Sequence, residues 1–329
     1  MTTPETIPPT GDQFAWAIAQ AVRAPSSHNT QPWRFRIDGG AIELFADRSR
    51  ALPVADPDQR ELTISCGAAL MHLRVALRTC GFDVEVDRLP DHTHPDLLAR
   101  VTVRAGPEPT EDERALGAAI ATRATSRVPY LGVTVPDDLV DRLRRDVEAE
   151  DAWFAPLPEE SQRVRLVAMI MEADRLQWES HPFRRELARW MRANDSPARD
   201  GIFGYAYGLD NIESHFAAMA VRLIDRGAHE AVEHSHLADA SALLAVIGTE
   251  GDWALPWLRT GEALARVLLR AESESLRVAY LNQPIEVPTL RAGVGELTGQ
   301  VGSPQLILRI GYGTPGPATP RRPLSEVLG

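Results

Sequence analysis

The stretch Ala24-Pro25-Ser26-Ser27-His28-Asn29-Thr30-Gln31-Pro32-Trp33 is the most informative segment of the 329-residue chain. Its prolines restrict the backbone, and the short hydroxyl and amide side chains offer hydrogen bonds in several directions at little entropic cost. A loop of this composition suits a flat heterocycle that carries donors and acceptors along one edge. A plainer interpretation is that Ser26 or Ser27 caps a helix and that Pro25 and Pro32 shape a turn.

The overall composition is that of an ordinary globular chain, with 44% hydrophobic and 25% charged residues. The formal net charge of −11 argues against a general affinity for nucleic acid or for anionic membranes. Any anion site therefore needs a local concentration of arginine. No apolar run approaches the length of a membrane span, and residues 1–10 lack a signal-peptide pattern, so we expect a cytoplasmic protein.

The two cysteines, Cys66 and Cys80, fall on the apolar face of one predicted helix. At 1.5 Å rise per residue they lie about 21 Å apart along its axis, which is too far for a disulfide. The spacing predicts two buried thiols.

Apolar periodicity predicts helices and short strands mixed along the chain. We expect helices over residues 12–22 (with Asp12 as its cap), 62–80, 111–121, 136–148, 159–179, 261–275 and 287–297. We expect strands over residues 33–37, 41–46, 84–89, 98–104, 153–157, 241–248 and 305–310. Because helices and strands do not alternate evenly, an α+β fold is predicted rather than a doubly wound parallel sheet. The Pro- and Gly-containing segment 105–111 marks a seam between two halves, residues 1–108 and 109–329.

Segment 192–215 has neither helical nor strand periodicity. Its glycines alternate with aromatic residues: Gly201, Gly204 and Gly208 lie beside Phe203, Tyr205 and Tyr207. Mobile glycines and aromatic faces suit a lid that stacks over a flat ring, although a packed connecting loop fits the same pattern equally well.

Two arginine-bearing segments are candidates for an anion site. Arg123-Ala124-Thr125-Ser126-Arg127 alternates guanidinium groups with hydroxyls, and Thr319-Pro320-Arg321-Arg322-Pro323 holds two arginines in a stiff tail. Guanidinium groups match phosphate oxygens, and hydroxyls or loop amides complete such a site. The alternative is that these arginines form surface ion pairs with the acidic excess of the chain.

The glycine pattern Gly311-Tyr312-Gly313-Thr314-Pro315-Gly316 does not predict a dinucleotide site. That fingerprint needs a helix starting at the last glycine, whereas Pro317 and Pro320 follow here. His92 with His94, and His234 with His236, have acidic neighbours but not the spacing of known zinc sites, so we expect no metal.

The sequence also lacks the motifs of common enzyme classes that rely on protein side chains for chemistry. It contains no Gly-x-Ser-x-Gly elbow, P-loop or kinase signature, and its carboxylates are scattered. We therefore expect no catalytic side chain and a cofactor that supplies the chemistry.

Residues 23–33 resemble the motif A-P-S-x-x-N-x-Q-P-W of the FMN-dependent nitroreductase family, in which this loop touches the flavin ring and ribityl chain. Arg123-x-Thr125-x-Arg127 is similar to the family's R-x-S-x-R/K phosphate segment, and the tail 309–324 is similar to its closing strand and second arginine segment. Residues 282–286 (Asn-Gln-Pro-Ile-Glu) resemble the P-I-E stretch that lies against the isoalloxazine.

The order of these motifs resembles the Acg-like branch of the family, in which two nitroreductase-like halves are fused in one chain. That resemblance implies a monomer that folds as an internal pseudo-dimer and holds one FMN beneath a lid at 192–215. It implies hydride transfer from NAD(P)H through FMN to nitroaromatic or quinone acceptors. The alternative it implies is a protein that stores or sequesters flavin with little turnover.

The same resemblance implies which residues contact the cofactor. They are Ser26, Ser27, His28, Asn29, Thr30, Gln31, Pro32, Arg123, Thr125, Arg127, Asn282, Gln283, Pro284, Arg321 and Arg322.

Overall fold

The computed structural model describes residues 10–329 of the chain. Its helices are α1 (Gly11–Ala21), α2 (Arg60–Thr79), α3 (Glu111–Thr122), α4 (Asp137–Glu148), α5 (Glu160–Glu179), α6 (His181–Trp190), α7 (Asn211–Leu223), α8 (Gly227–Asp239), α9 (Ala254–Ser273), α10 (Gln283–Glu286), α11 (Pro288–Thr298) and α12 (Leu324–Val327). Its strands are β1 (Trp33–Asp38), β2 (Ala41–Ala46), β3 (Phe82–Arg88), β4 (Leu97–Ala105), β5 (Trp153–Pro156), β6 (Met191–Arg192), β7 (Ile202–Phe203), β8 (Leu243–Thr249), β9 (Leu276–Tyr280) and β10 (Ser303–Tyr312).

Two four-stranded antiparallel sheets share one topology. The strand order is β1-β2-β4-β3 in the first sheet and β5-β8-β10-β9 in the second. In each sheet, the strands taken in chain order therefore lie in the spatial order first, second, fourth, third. A 20-residue helix joins the second strand to the third in both cases, α2 in the first sheet and α9 in the second.

The two long helices pack against each other through glycine. A Cβ atom on Gly67 would lie 2.0 Å from the carbonyl oxygen of Leu258, and one on Gly261 would lie 2.0 Å from that of Ile64. Only glycine permits this approach of two backbones. Each helix also packs on its own sheet, so the contact between α2 and α9 joins two hydrophobic cores.

Most predicted elements of the α+β pattern are present. The predicted strands at 33–37 and 41–46 are confirmed as β1 and β2, which form a hairpin with Trp33 paired to Ala46 and Asp38 paired to Ala41. Helix α2 is confirmed as a buried helix that begins at Arg60. Helix α9 begins at Ala254, earlier than predicted, because Pro256 lies in its first turn, where backbone N–H groups have no helical partner to lose.

Three predictions about local structure are wrong. Thr10, not Asp12, caps α1, because its hydroxyl accepts from Gln13 while the Gln13 side chain accepts from the Thr10 backbone. Cys80 is exposed rather than buried, because it lies at the C-terminal end of α2, beyond the buried turns.

The third error is the omission of the helices α6, α7 and α8 and of the strand β9. Helix α7 buries Ala217 and Val221 but exposes Ile212, Phe216, Met219 and Leu223, so its apolar residues show no single face. Within residues 10–329, no helix has the length and apolarity needed to cross a membrane.

Candidate functional site

The polar loop at residues 26–32 has a strained backbone. His28, Asn29 and Gln31 have φ angles of 50°, 53° and 52°, in the left-handed region that non-glycine residues rarely adopt. The Ser26 hydroxyl stabilises this conformation by accepting a hydrogen bond from the Gln31 backbone N–H at 2.9 Å. Strain of this kind persists where the surrounding structure imposes it, and it is concentrated at functional sites.

Most polar side chains of the loop bond to other parts of the protein. Ser27 donates to Glu61 Oε2 at 2.6 Å. Asn29 Nδ2 donates to the carbonyl oxygens of Gly201 (3.3 Å) and Pro320 (3.2 Å). Gln31 donates to the Arg199 carbonyl at 2.7 Å. The loop is therefore a frame that connects segment 199–201 to the C-terminal tail.

Thr30 and Pro32 contribute backbone groups to this frame. The Thr30 carbonyl accepts from Arg50, and the Pro32 carbonyl accepts from the Asp47 backbone N–H at 2.9 Å. These contacts fix both ends of the strained stretch. The side chain of Thr30 is buried.

Arg123 and Arg321 come together although they lie on distant segments. Both donate to the carbonyl oxygen of Arg23, at 3.4 and 3.3 Å. Three further buried donors, Nε and Nη1 of Arg123 and Nε of Arg321, have no hydrogen-bond partner within residues 10–329. Two partly buried guanidinium groups with buried, unpartnered donors form a site that an anion would neutralise.

The electrostatics of this pair agree with its geometry. Burial, followed by repulsion from Arg123 and Arg23, lowers the pKa of Arg321 to about 9. Burial likewise lowers the pKa of Arg123. A phosphate beside these two guanidinium groups would favour their charged forms and so oppose both shifts.

Arg127 and Tyr280 lie at the same site. The positive charge of Arg127 acts on both Tyr280 and His28, although Arg127 itself makes no ion pair within the described residues. The Tyr280 hydroxyl is buried without a hydrogen-bond partner, and burial raises its pKa. Thr125 neighbours this hydroxyl. Tyr280 was not predicted from the sequence, and its position two residues before Asn282 is the only signal of its role.

The segment 123–127 is held in place by the tail. The Ser126 hydroxyl donates to the Thr314 carbonyl at 2.9 Å, and Arg309 Nη2 donates to the Ser126 carbonyl at 2.8 Å. A Cβ on Gly316 would lie 2.0 Å from the Thr125 carbonyl oxygen. The glycine pattern at 311–316 thus lets the tail pass close to the arginine segment, which is a packing role.

Two predicted contact residues point elsewhere. Arg322 donates to the carbonyl oxygens of Gln31 (3.2 Å) and Glu326 (2.8 Å), so its guanidinium is used to fix the tail rather than left free for phosphate. Asn282 Oδ1 accepts from the Ile307 backbone N–H at 2.9 Å, which fixes α10 against β10.

Gln283 and His28 both present unpartnered atoms. Gln283 Oε1 and His28 Nδ1 are buried and have no hydrogen-bond partner within residues 10–329. Burial lowers the pKa of His28 to about 4, so its ring is neutral at pH 7. Because the charges of Glu61 and Arg127 both act on His28, this ring lies between a carboxylate and the arginine cluster. Pro284 is buried beside Gln283.

A pair of glutamates adjoins the polar loop. Burial and the negative charge of Glu61 raise the pKa of Glu286 to about 8. Gln177 donates to Glu286 Oε2 at 2.7 Å, while Ser27 donates to Glu61. Glu286 therefore keeps its proton near neutral pH. Glu61 was not predicted from the sequence, although a charged residue in the first turn of an otherwise apolar helix was a usable signal.

Two of the four candidate metal histidines, His94 and His234, pair with aspartates. His234 Nδ1 lies 2.8 Å from Asp174 Oδ2. Burial lowers the pKa of His234, but the carboxylates of Asp174, Glu230 and Glu233 together outweigh burial, so the pKa is raised. His94 lies 2.6 Å from Asp91. Within the described part of the chain, no cluster of three or more His, Cys, Asp or Glu side chains is placed to hold a metal ion.

Segment 199–207 covers the polar loop. Asp200 forms ion pairs with Arg50 and with Arg192, the latter at 2.9 Å. Tyr205 stacks on Phe203 with ring centroids 5.4 Å apart, and its hydroxyl donates to the Ala318 carbonyl at 3.3 Å. Together with the Asn29 and Gln31 contacts, these bonds fasten the segment to both the loop and the tail.

Comparison with known proteins identifies relatives that span nearly the whole chain. Rv3131 of Mycobacterium tuberculosis, provisionally named an NAD(P)H nitroreductase, is 33% identical over 329 residues, which are 97% of this chain and 92% of that protein. The acg protein of the same organism, with the same provisional name, is 32% identical over 331 residues, 97% of this chain and 96% of that protein.

Comparison with solved structures returns the FMN-dependent nitroreductase NfnB from Mycobacterium smegmatis in complex with NADPH. It shares 14% identity with a TM-score of 0.40, over 66% of this chain and 97% of that one. No protein-family model matches the chain. The identity to Rv3131 and acg over almost their full lengths shows that the chain belongs to the nitroreductase family, in the group that contains acg.

Proposed function

We propose that the chain binds one FMN, with the phosphate held by Arg123, Arg127 and Arg321. The observation that carries this proposal is the set of buried guanidinium donors without partners on Arg123 and Arg321. A phosphate accepts several hydrogen bonds at once and carries the opposite charge, so it fits these donors in number and in sign. Thr125 and the Tyr280 hydroxyl add neutral partners beside them.

The unpartnered atoms of His28 and Gln283 suit the polar edge of the flavin ring. His28 Nδ1 and Gln283 Oε1 are buried and lack hydrogen-bond partners. The flavin ring carries alternating donors and acceptors along one edge, and these two atoms would pair with that edge. In this proposal Ser26, Ser27, Asn29, Thr30, Gln31 and Pro32 form the frame that positions the ligand. Arg322 supports that frame by fixing the tail, and Asn282 supports it by fixing α10 against β10.

Bound FMN would supply the chemistry, accepting hydride from NAD(P)H and delivering electrons to a nitroaromatic or quinone acceptor. The protein would bind and orient both partners and exclude water beneath segment 192–215. The Glu61 and Glu286 pair would hold a proton next to the loop. No side chain needs to act as a nucleophile.

We infer that the chain is a fused pseudo-dimer that acts as a monomer. Support comes from the two sheets, which share strand order and the position of their long helix, and from the glycine contact between α2 and α9. The halves would be residues 1–108 and 109–329.

Flavin storage is the second candidate, favoured by the bonds that fasten segment 199–207. A segment held by an ion pair to Arg50 and by side chains of Asn29 and Gln31 would slow exchange of flavin and access of nicotinamide.

Anaerobic mixing of the FMN-loaded protein with NADH or NADPH distinguishes a reductase from a storage protein. Bleaching of the flavin absorbance within seconds supports the reductase, whereas bleaching by dithionite alone supports storage. A colourless protein that takes up no FMN contradicts both.

A further inference from the structure

Helix α7 carries an apolar stripe on its solvent-facing side. Ile212, Phe216, Met219 and Leu223 follow one another at helical spacing, and Ile212 and Leu223 are 73% and 69% exposed. At 100° per residue these four side chains fall within an arc of about 60°. They project as a ridge, and a ridge of this kind on a helix surface indicates an interaction site.

One flank of this ridge is basic. Arg185, Arg189 and Arg222, together with Ala188, Ala218 and Met219, line a groove of about 370 Å³ between α6 and α7. None of the three guanidinium groups forms an ion pair within residues 10–329, although the chain carries a net charge of −11. Glu213 lies on the opposite flank of α7, about 90° from the ridge.

We propose that this face of α6 and α7 docks onto a membrane surface that contains anionic phospholipid. The ridge would insert among the acyl chains next to the headgroups, while the arginine groove would accept a lipid phosphate. An apolar helix face flanked by arginines is the arrangement that lies in a bilayer interface. The negative charge of the rest of the chain does not prevent this, because surface charges more than about 8 Å apart are largely screened at physiological salt.

A second copy of the chain fits the face less well. A two-fold axis perpendicular to α7 would bring the arginine flank of each helix against the same flank of its partner, which is repulsive, and an axis parallel to α7 would set three arginines against Glu213 alone on that flank of α7. An acidic protein partner would need a deep groove of its own to receive the protruding ridge.

Vesicle co-sedimentation of the full chain tests the proposal. We expect binding to vesicles of phosphatidylglycerol and phosphatidylcholine that exceeds binding to pure phosphatidylcholine by about 100-fold, since each arginine contributes roughly fivefold. The triple variant Arg185→Gln, Arg189→Gln, Arg222→Gln should remove that preference. The double variant Phe216→Ser, Leu223→Ser should lower binding to both vesicle types at least tenfold.

Val301→Ser provides the matched control, because Val301 is an 86% exposed apolar residue away from α7. It should bind vesicles as the wild type does, with all variants showing the wild-type circular dichroism spectrum. Equal binding to both vesicle types by the wild type overturns the proposal. The proposal is also overturned if sedimentation velocity shows a dimer that Phe216→Ser converts to a monomer, because a second copy of the chain would then cover the ridge. A third outcome also overturns the proposal: the wild type does not bind vesicles, and poly-glutamate beads retain the wild type and the double variant equally. That result would show a site for an acidic protein instead.

Discussion

Arg123 and Arg321 donate to one and the same backbone carbonyl, that of Arg23, from the middle and the far end of the chain. The carbonyl satisfies one donor of each guanidinium and leaves other buried donors of both without partners. Placing two like charges so close together costs free energy in the cofactor-free protein. The proposed binding of a phosphate by these two guanidinium groups would explain the arrangement.

Replacing Arg123 should weaken FMN binding without loss of stability. The only hydrogen bond of the Arg123 side chain within residues 10–329 is the 3.4 Å contact to Arg23, so Arg123→Met should leave the cofactor-free Tm unchanged or raise it. The lost charged hydrogen bonds, worth about 1.5–3 kcal/mol, should raise the FMN Kd by about 10- to 100-fold. Flavin fluorescence titration and thermal unfolding measure the two effects. The exposed Arg104→Met is the control, and a large drop in Tm for Arg123→Met would show a structural role instead.

Glu286 should make the protein less stable as pH rises from 6.5 to 8. Its folded pKa of about 8 lies above that of an unfolded glutamate, so in this window the folded state holds a proton that the unfolded state has released. Stability is therefore lost with rising pH, by an amount on the order of 1–2 kcal/mol. Glu286→Gln keeps an acceptor for Gln177 and should make the free energy of unfolding less dependent on pH in this window. Urea unfolding at pH 6.5, 7.2 and 8.0 measures the difference, and the same pH dependence in the two proteins would contradict the raised pKa of Glu286.

The glycine contact between the two long helices should tolerate no side chain. Gly67→Ala and Gly261→Ala each place a methyl group about 2 Å from a carbonyl oxygen. We expect a loss of about 3 kcal/mol or more in unfolding free energy, or failure to fold. Gly132→Ala, where the added Cβ meets nothing within 4 Å, should change stability by less than about 1 kcal/mol. Denaturant unfolding of the three variants gives the comparison, and equal stabilities would refute the close packing of α2 on α9.

Arg50 should control how fast flavin leaves. Arg50→Gln removes the ion pair to Asp200 and the bond to the Thr30 carbonyl, which tie segment 199–207 to the polar loop. We expect FMN dissociation to accelerate by about tenfold, as measured by stopped-flow fluorescence. Arg48→Gln is the neighbouring control, because Arg48 pairs with Asp96 outside the site. The same dissociation rate in wild type and Arg50→Gln would mean that the segment does not retain the cofactor.

The sequence predicted the elements that carry a clear apolar period and the loop that carries an unusual motif. Helix α2 was predicted from the apolar periodicity of residues 62–80, and strands β1 and β2 from that of residues 33–37 and 41–46. Helix α7 could not be predicted in this way, because its exposed ridge adds apolar residues to the face that should be polar.

The candidate site was predictable in its segments but not in its individual contacts. Which of two adjacent arginines faces Arg123 depends on the direction of the tail: Arg322 turns to Gln31 and Glu326, while Arg321 turns to the Arg23 carbonyl. Tyr280 and Glu61 belong to no local motif, and only the packing of β9 and α2 brings them to the polar loop. Long-range placement of this kind depends on tertiary structure rather than on local pattern.

Comparing the affinity of the cofactor-free chain for FMN with its affinity for riboflavin is the most direct test of the arginine site. Riboflavin has the same ring and ribityl chain but lacks the phosphate, so the ratio of the two Kd values isolates the phosphate contribution. If Arg123, Arg127 and Arg321 hold the phosphate, FMN should bind at least about 100-fold more tightly, and Arg123→Met should cut that ratio by about tenfold or more. Equal Kd values for FMN and riboflavin in the wild type would contradict the account.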